Sequence, residues 1–92
     1  MKVYISGKIS GDENYKAKFE SAEKDLVRFG YDVVNPAKVH IEDGTWEEYM
    51  KADIKLLLEC DEVYLLSDWV YSRGARLEAR IAEEVGIKVR YQ

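Results

Sequence analysis

Apolar positions recur along this chain in two alternating rhythms. Short runs rich in Val, Ile, Leu and Tyr at residues 2–6, 31–35, 62–67 and 87–91 have the length and composition of strands. Between them the spacing changes to threes and fours. Tyr15, Phe19, Ala22, Leu26 and Phe29 form the stripe of a first helix, with Gly30 as its C-terminal cap. A second helix opens on the capping box Thr45-Trp46-Glu47-Glu48 and runs to about Cys60. A third starts near Ser72 and stops at Gly86. Strands alternating with helices predict an α/β fold with a four-stranded parallel sheet in the order 2-1-3-4. Helices on both faces make it a flavodoxin-like or Rossmann-like three-layer α/β/α arrangement. In such sheets a ligand binds beyond the carboxyl ends of the strands, where the winding reverses between strands one and three. That places it against two loops, residues 6–11 and residues 67–74.

Projection on ideal helices exposes a conflict in this pattern. In the third helix Ala75, Leu77, Ala79, Ile81, Ala82 and Val85 fill an apolar arc of about 200°. Glu78 falls in the middle of it, while Arg76, Arg80, Glu83 and Glu84 take the opposite face. In the second helix Trp46, Tyr49, Met50, Ile54, Leu56, Leu57 and Leu58 share one side, and Asp53 lies among them. An unpaired buried carboxylate costs several kcal/mol in a domain whose whole stability is about 5–15 kcal/mol. Two readings are open: a buried ion pair or capping contact, with Arg73 and Arg76 as the nearby cations, or a functional site. Two carboxyls at one cleft suit glycosyl chemistry, one ionised as nucleophile and the other protonated to help the leaving group. Like-charge proximity is expected to divide the roles by raising one pKa. Tyr4 on the first strand either donates its hydroxyl to the nucleophile or packs in the core.

Composition narrows the classes. The 92 residues are 47% hydrophobic and 35% charged, which gives one domain spanning residues 1–92 rather than a disordered chain. The longest apolar run, residues 63–66, is far short of a membrane helix, and the N-terminus has no signal-peptide pattern, so a cytoplasmic protein is expected. A net charge of −4 with no basic tract argues against nucleic acid as partner. One cysteine, Cys60, and one histidine, His40, provide no metal-ligand spacing, and no cofactor is called for. Cys60 reads as a small core residue.

Three segments in order resemble the nucleoside 2-deoxyribosyltransferase superfamily, which includes deoxynucleoside 5′-monophosphate N-glycosidases, and the likeness spans nearly the whole chain. Val3-Tyr4-Ile5-Ser6-Gly7-Lys8-Ile9-Ser10-Gly11 looks like its first strand and phosphate loop. Residues 53–61 look like its Asp-x7-Asp helix and strand entry, and Ser72-Arg73-Gly74-Ala75-Arg76-Leu77-Glu78 like its Ser-x-Gly-x-x-x-Glu segment. The resemblance implies that Glu78 forms a covalent deoxyribosyl intermediate, that Asp53 handles the proton at the base and that Tyr4 holds Glu78. Ser72 stands where the nucleoside-using branch has an Asp, which favours the 5′-monophosphate branch. That branch carries an Arg where this chain has Ser10, leaving Lys8 as the cation of the first loop. Substrate contacts are expected from Ser6, Gly7, Lys8, Ile9 and Ser10, and from Ser72 and Gly74 at a helix N-terminus.

The leading function is therefore cleavage or exchange of the N-glycosidic bond of a 2′-deoxynucleotide. The alternatives are a non-catalytic nucleotide-binding module and a small interaction protein with fortuitous buried acids. Trp69, with Tyr71, is expected either to stack on a nucleobase or to cover apolar surface in a subunit contact. A homodimer or larger assembly is expected, because a small sheet leaves helix surface uncovered around Trp46, Tyr49, Leu77 and Ile81.

Overall fold

A computed structural model describes residues 1–92. Four strands, β1 (Lys2–Ser6), β2 (Asp32–Val34), β3 (Glu62–Leu65) and β4 (Lys88–Tyr91), alternate with α1 (Tyr15–Arg28), α2 (Trp46–Leu58) and α3 (Arg73–Glu84). Short 3-10 turns at Pro36–Lys38 and Trp69–Tyr71 follow β2 and β3. All pairings are parallel and the order is β2-β1-β3-β4. The predicted fold class is therefore the observed one.

Strand alternation sorts the core into two layers. Val3 and Ile5 of β1 meet Phe19, Ala22 and Leu26 of α1 on one face. Tyr4 of β1 and Val63 and Leu65 of β3 meet Leu57 of α2 and Ala79 and Ala82 of α3 on the other. The capping box of α2 forms as read, with Thr45 Oγ1 accepting from the Glu48 amide and Glu48 accepting from the Thr45 amide. Ser72 caps α3 by accepting from the Ala75 amide at 3.1 Å. No helix is long and apolar enough to cross a membrane.

Three sequence expectations need correction. The second strand is three residues, because Tyr31 is still tied to the end of α1 through its amide and the Leu26 carbonyl, and Asn35 turns to cap the Pro36–Lys38 turn. The second helix ends at Leu58, which is half exposed, so its buried stripe is only Met50, Asp53 and Leu57. The surplus apolar surface also differs: Trp46 and Tyr49 line a cleft, and Ile81 packs against the core. Exposed apolar side chains are instead scattered at sites such as Phe29, Tyr71, Val85 and Tyr91.

Candidate active site

Tyr4 and Ser6 are alternate residues of β1, so both project from the same face toward α3. On α3 the buried positions are Ala75, Glu78, Ala79 and Ala82, the stripe in which the sequence placed an acid. The small alanines let the helix lie close to the strand, and Glu78 reaches it. Tyr4 Oη donates to Glu78 Oε2 at 2.5 Å, and Ser6 Oγ donates to Oε1 at 2.7 Å. Both carboxyl oxygens are thus held by neutral hydroxyls, and no cation pairs with the group. Burial lifts the Glu78 carboxyl to about 7, opposed by the bonds from Tyr4 and Ser6 and assisted by the charge of Asp53. Burial and the Glu78 charge hold the Tyr4 phenol well above its ordinary value, so it remains a donor.

Asp53 enters from α2, 8% exposed, with Oδ1 buried and without a hydrogen-bond partner. Burial alone lifts its carboxyl to about 6. Desolvation, rather than the mutual repulsion expected from the sequence, is therefore the main cause of both shifts. The ion-pair reading of these acids also fails. Arg73 lies over the Trp46 ring, 3.8 Å from its centroid, and Arg76 donates to the Val70 carbonyl.

Both acids line a cleft of about 1210 Å³ between the ends of β1 and α3, the α2 stripe, α1 and the segment after β2. Tyr4, Ser6, Gly7, Ile9, Ser10, Ser72 and Gly74 share that lining. Gly7 is required by close approach, since a Cβ there would fall 2.7 Å from the Leu66 side chain. Lys8 lines a smaller adjoining pocket instead. Trp69 lines neither. Its ring, in the turn after β3, packs partly buried against the core and faces Tyr91, with centroids 6.0 Å apart.

Sequence reasoning missed two supports of the site. Lys18 donates to Asp12, to Asp68 and to the Lys8 carbonyl, while Asp68 accepts from the Lys8 amide. One ammonium therefore ties the loop after β1 to the loop after β3. Tyr49 Oη accepts from the Ile41 amide and donates to the Ile41 carbonyl, pinning the segment before α2 at the cleft wall. Neither contact has a signature in local spacing: Lys18 and Asp68 are 50 positions apart, and Tyr49 bonds backbone, which any residue supplies.

Among curated proteins no sequence matches the chain. Among solved structures it is similar to a 2-deoxyribosyltransferase from the psychrotolerant bacterium Bacillus psychrosaccharolyticus, with a TM-score of 0.77 and 20% identity over 99% of this chain and 71% of that one. That likeness establishes a shared fold. The family is given by the match over residues 1–91, by which this chain belongs to the family described as Domain of unknown function (DUF4406).

Proposed function

We propose that this protein cleaves or exchanges the N-glycosidic bond of a 2′-deoxynucleoside 5′-monophosphate through a covalent intermediate on Glu78. The observation that carries the reading is Glu78 itself: a buried carboxyl held by two neutral hydroxyls, with no counter-ion, at the wall of a cleft it shares with a second unpaired acid. The similar fold of a 2-deoxyribosyltransferase supports it.

In the first step a Glu78 oxygen bonds to the anomeric carbon as the bond from that carbon to the base nitrogen breaks. The electron pair leaves with the base, which takes a proton from the Asp53 carboxyl at the cleft wall. In the second step water or a second base attacks the anomeric carbon and releases the Glu78 carboxylate. The proton of the incoming nucleophile passes to Asp53, which restores the starting state. Tyr4 and Ser6 orient the Glu78 carboxyl so that it need not reorganise during attack. Ser72, Lys8 and the Gly7 and Gly74 backbones would receive the phosphate at the start of α3.

The domain as a whole, residues 1–92, acts as one unit in this reading, with a small-molecule partner and a homodimeric assembly that shields Glu78 from water. The test is a panel of deoxynucleoside 5′-monophosphates and the matching nucleosides, assayed for release of free base. Release that depends on Glu78 and prefers the monophosphates is the expected result. A wild-type protein that binds these nucleotides without releasing base would instead be a nucleotide-binding module.

A further inference from the structure

We infer that Arg73, in contact with the Trp46 indole in the small pocket beside the cleft, is the residue that selects for the phosphoryl group of the nucleotide proposed above. The inference deepens the reading above and rests on it for the nucleotide that carries the phosphoryl group. At about 230 Å³ the pocket is below the roughly 300 Å³ at which ligand pockets begin to hold whole drug-sized molecules, so it suits one charged end of a ligand. It shares Ser10, Trp46, Ser72 and Gly74 with the main cleft, so a ligand in the cleft can extend into it.

The lining includes two cations and no carboxylate. Lys8 and Arg73 take part in none of the ion pairs of the structure. Asp12 and Asp68, the acids of the two adjacent loops, both bind Lys18, which offsets one of their two charges and leaves neither in the lining. Two like charges brought to one small pocket repel, and an anion between them removes the cost. The remaining polar groups are hydroxyls, and Ser72 Oγ, which accepts from the Ala75 amide, keeps its own proton for a ligand.

Arg73 has the geometry for this task. With its guanidinium carbon 3.8 Å from the centroid of the Trp46 ring, the group is in cation–π contact with the indole, and none of its N–H donors is engaged by another side chain. A planar fork fixed in that way matches two phosphate oxygens and loses little side-chain freedom on binding. Trp46 is then a platform for the cation, which accounts for a large aromatic at the first position of α2 without placing it in a subunit contact.

The experiment uses Trp69→Phe, which leaves Trp46 as the only indole and therefore as a reporter next to Arg73. Inorganic phosphate and the deoxynucleoside 5′-monophosphates should each perturb Trp46 emission saturably. Arg73→Gln should raise both dissociation constants ten-fold or more, and Arg73→Lys, which retains charge without the planar fork, should fall between. Arg80→Gln, exposed further along α3, should bind as the parent does, and circular dichroism confirms that each variant is folded. Phosphate binding that is absent, or that Arg73→Gln leaves unchanged, overturns the site. Arg73-dependent phosphate binding without base release from any monophosphate upholds the site and removes the glycosidase reading. Base release that prefers monophosphates equally in the parent and in Arg73→Gln does the reverse.

Discussion

Glu78 and Glu62 are both almost wholly buried, at 5% and 1% exposure, yet their surroundings are opposite in kind. Glu62 begins β3, at the amino end of the sheet, where Oε1 accepts from Arg90 at 3.1 Å and lies 3.4 Å from the Lys88 ammonium. Glu78 faces the carboxyl end of β1 and has only the hydroxyls of Tyr4 and Ser6. Two cations face Glu62 in a structural cluster that also ties β3 to β4 and, through Arg90 and the Tyr31 hydroxyl, to the end of α1. Hydroxyls orient Glu78 without neutralising it. Burial alone therefore does not mark a reactive acid in this fold. The partner does: a carboxylate without a counter-ion, beside a cleft, retains its affinity for an electrophilic carbon or a proton.

The sharpest way to break the comparison is to truncate each acid. Glu78→Ala should lower base release by at least ~10³-fold, since removing a chemical nucleophile leaves only binding and the remaining groups. Glu62→Ala should leave turnover per folded molecule within a few-fold of wild type and instead lose about 1–3 kcal/mol of stability, measured by urea unfolding. A Glu62→Ala protein that is folded and inactive, or a Glu78→Ala protein that still turns over, would erase the distinction.

Asp53 tests the second acid of the cleft. Asp53→Asn retains shape and removes the transferable proton, so it should cost about 10²–10⁴-fold with natural bases and much less with a leaving group that needs no protonation. Equal losses with both substrates would make Asp53 a structural acid like Glu62. With Asp53 lifted to about 6 and Glu78 to about 7, a rate that needs the first protonated and the second ionised should be bell-shaped, with its maximum between those values.

How far the sequence led to this contrast differs for the two acids. Glu78 and Asp53 were legible because a helix repeats every 3.6 residues, and an acid amid Ala75, Ala79 and Ala82 violates that period. Glu62 was not, because a charged residue at the first position of a strand reads as a solvated end. Its burial depends on the register that sets Glu62 beside Lys88 and on an arginine 28 positions away. The order of the sheet followed from strand and helix alternation, whereas the ends of β2 and α2 did not, since they are set by individual backbone bonds such as that from the Tyr31 amide to the Leu26 carbonyl. Trp69 shows the same limit at the site: loop position placed it near the ligand-binding edge, and its contacts with Tyr91 and the core had no signature in the sequence.

Stability should also separate the acids, with an effect smaller than those on turnover. A carboxyl whose folded pKa is raised binds its proton more tightly in the native state than in the unfolded chain. Its contribution is therefore fully present below the unfolded value and lost as pH rises through the folded one. For Glu78 that window runs from about 4.5 to about 7, so the wild-type protein should lose stability between pH 5 and pH 8. Glu78→Gln removes the ionisable group and should flatten this decline, gaining on the order of 2 kcal/mol over wild type at pH 8 and little at pH 5. A wild-type profile that rises over the same interval would show that Glu78 is stabilised in its charged form.

Arg90→Met provides the smallest and most direct test, because it should make Glu62 resemble Glu78. The substitution removes the guanidinium at 3.1 Å and leaves the carboxylate with the Lys88 ammonium, whose side chain is 68% exposed and well screened. The Arg90 side chain is itself 35% exposed and screened by solvent, so the loss should be small. A loss that arises from charge should change between acidic and alkaline pH, whereas a loss of packing should not. Denaturant midpoints at pH 4.5 and pH 8 measure the difference. Steeper pH dependence in Arg90→Met than in wild type, with base release unchanged, would show that the counter-ion is what keeps the second buried glutamate structural. Equal losses at both pH values would assign the role of Arg90 to its packing on the Tyr31 ring, 5.0 Å from the guanidinium carbon, rather than to its charge.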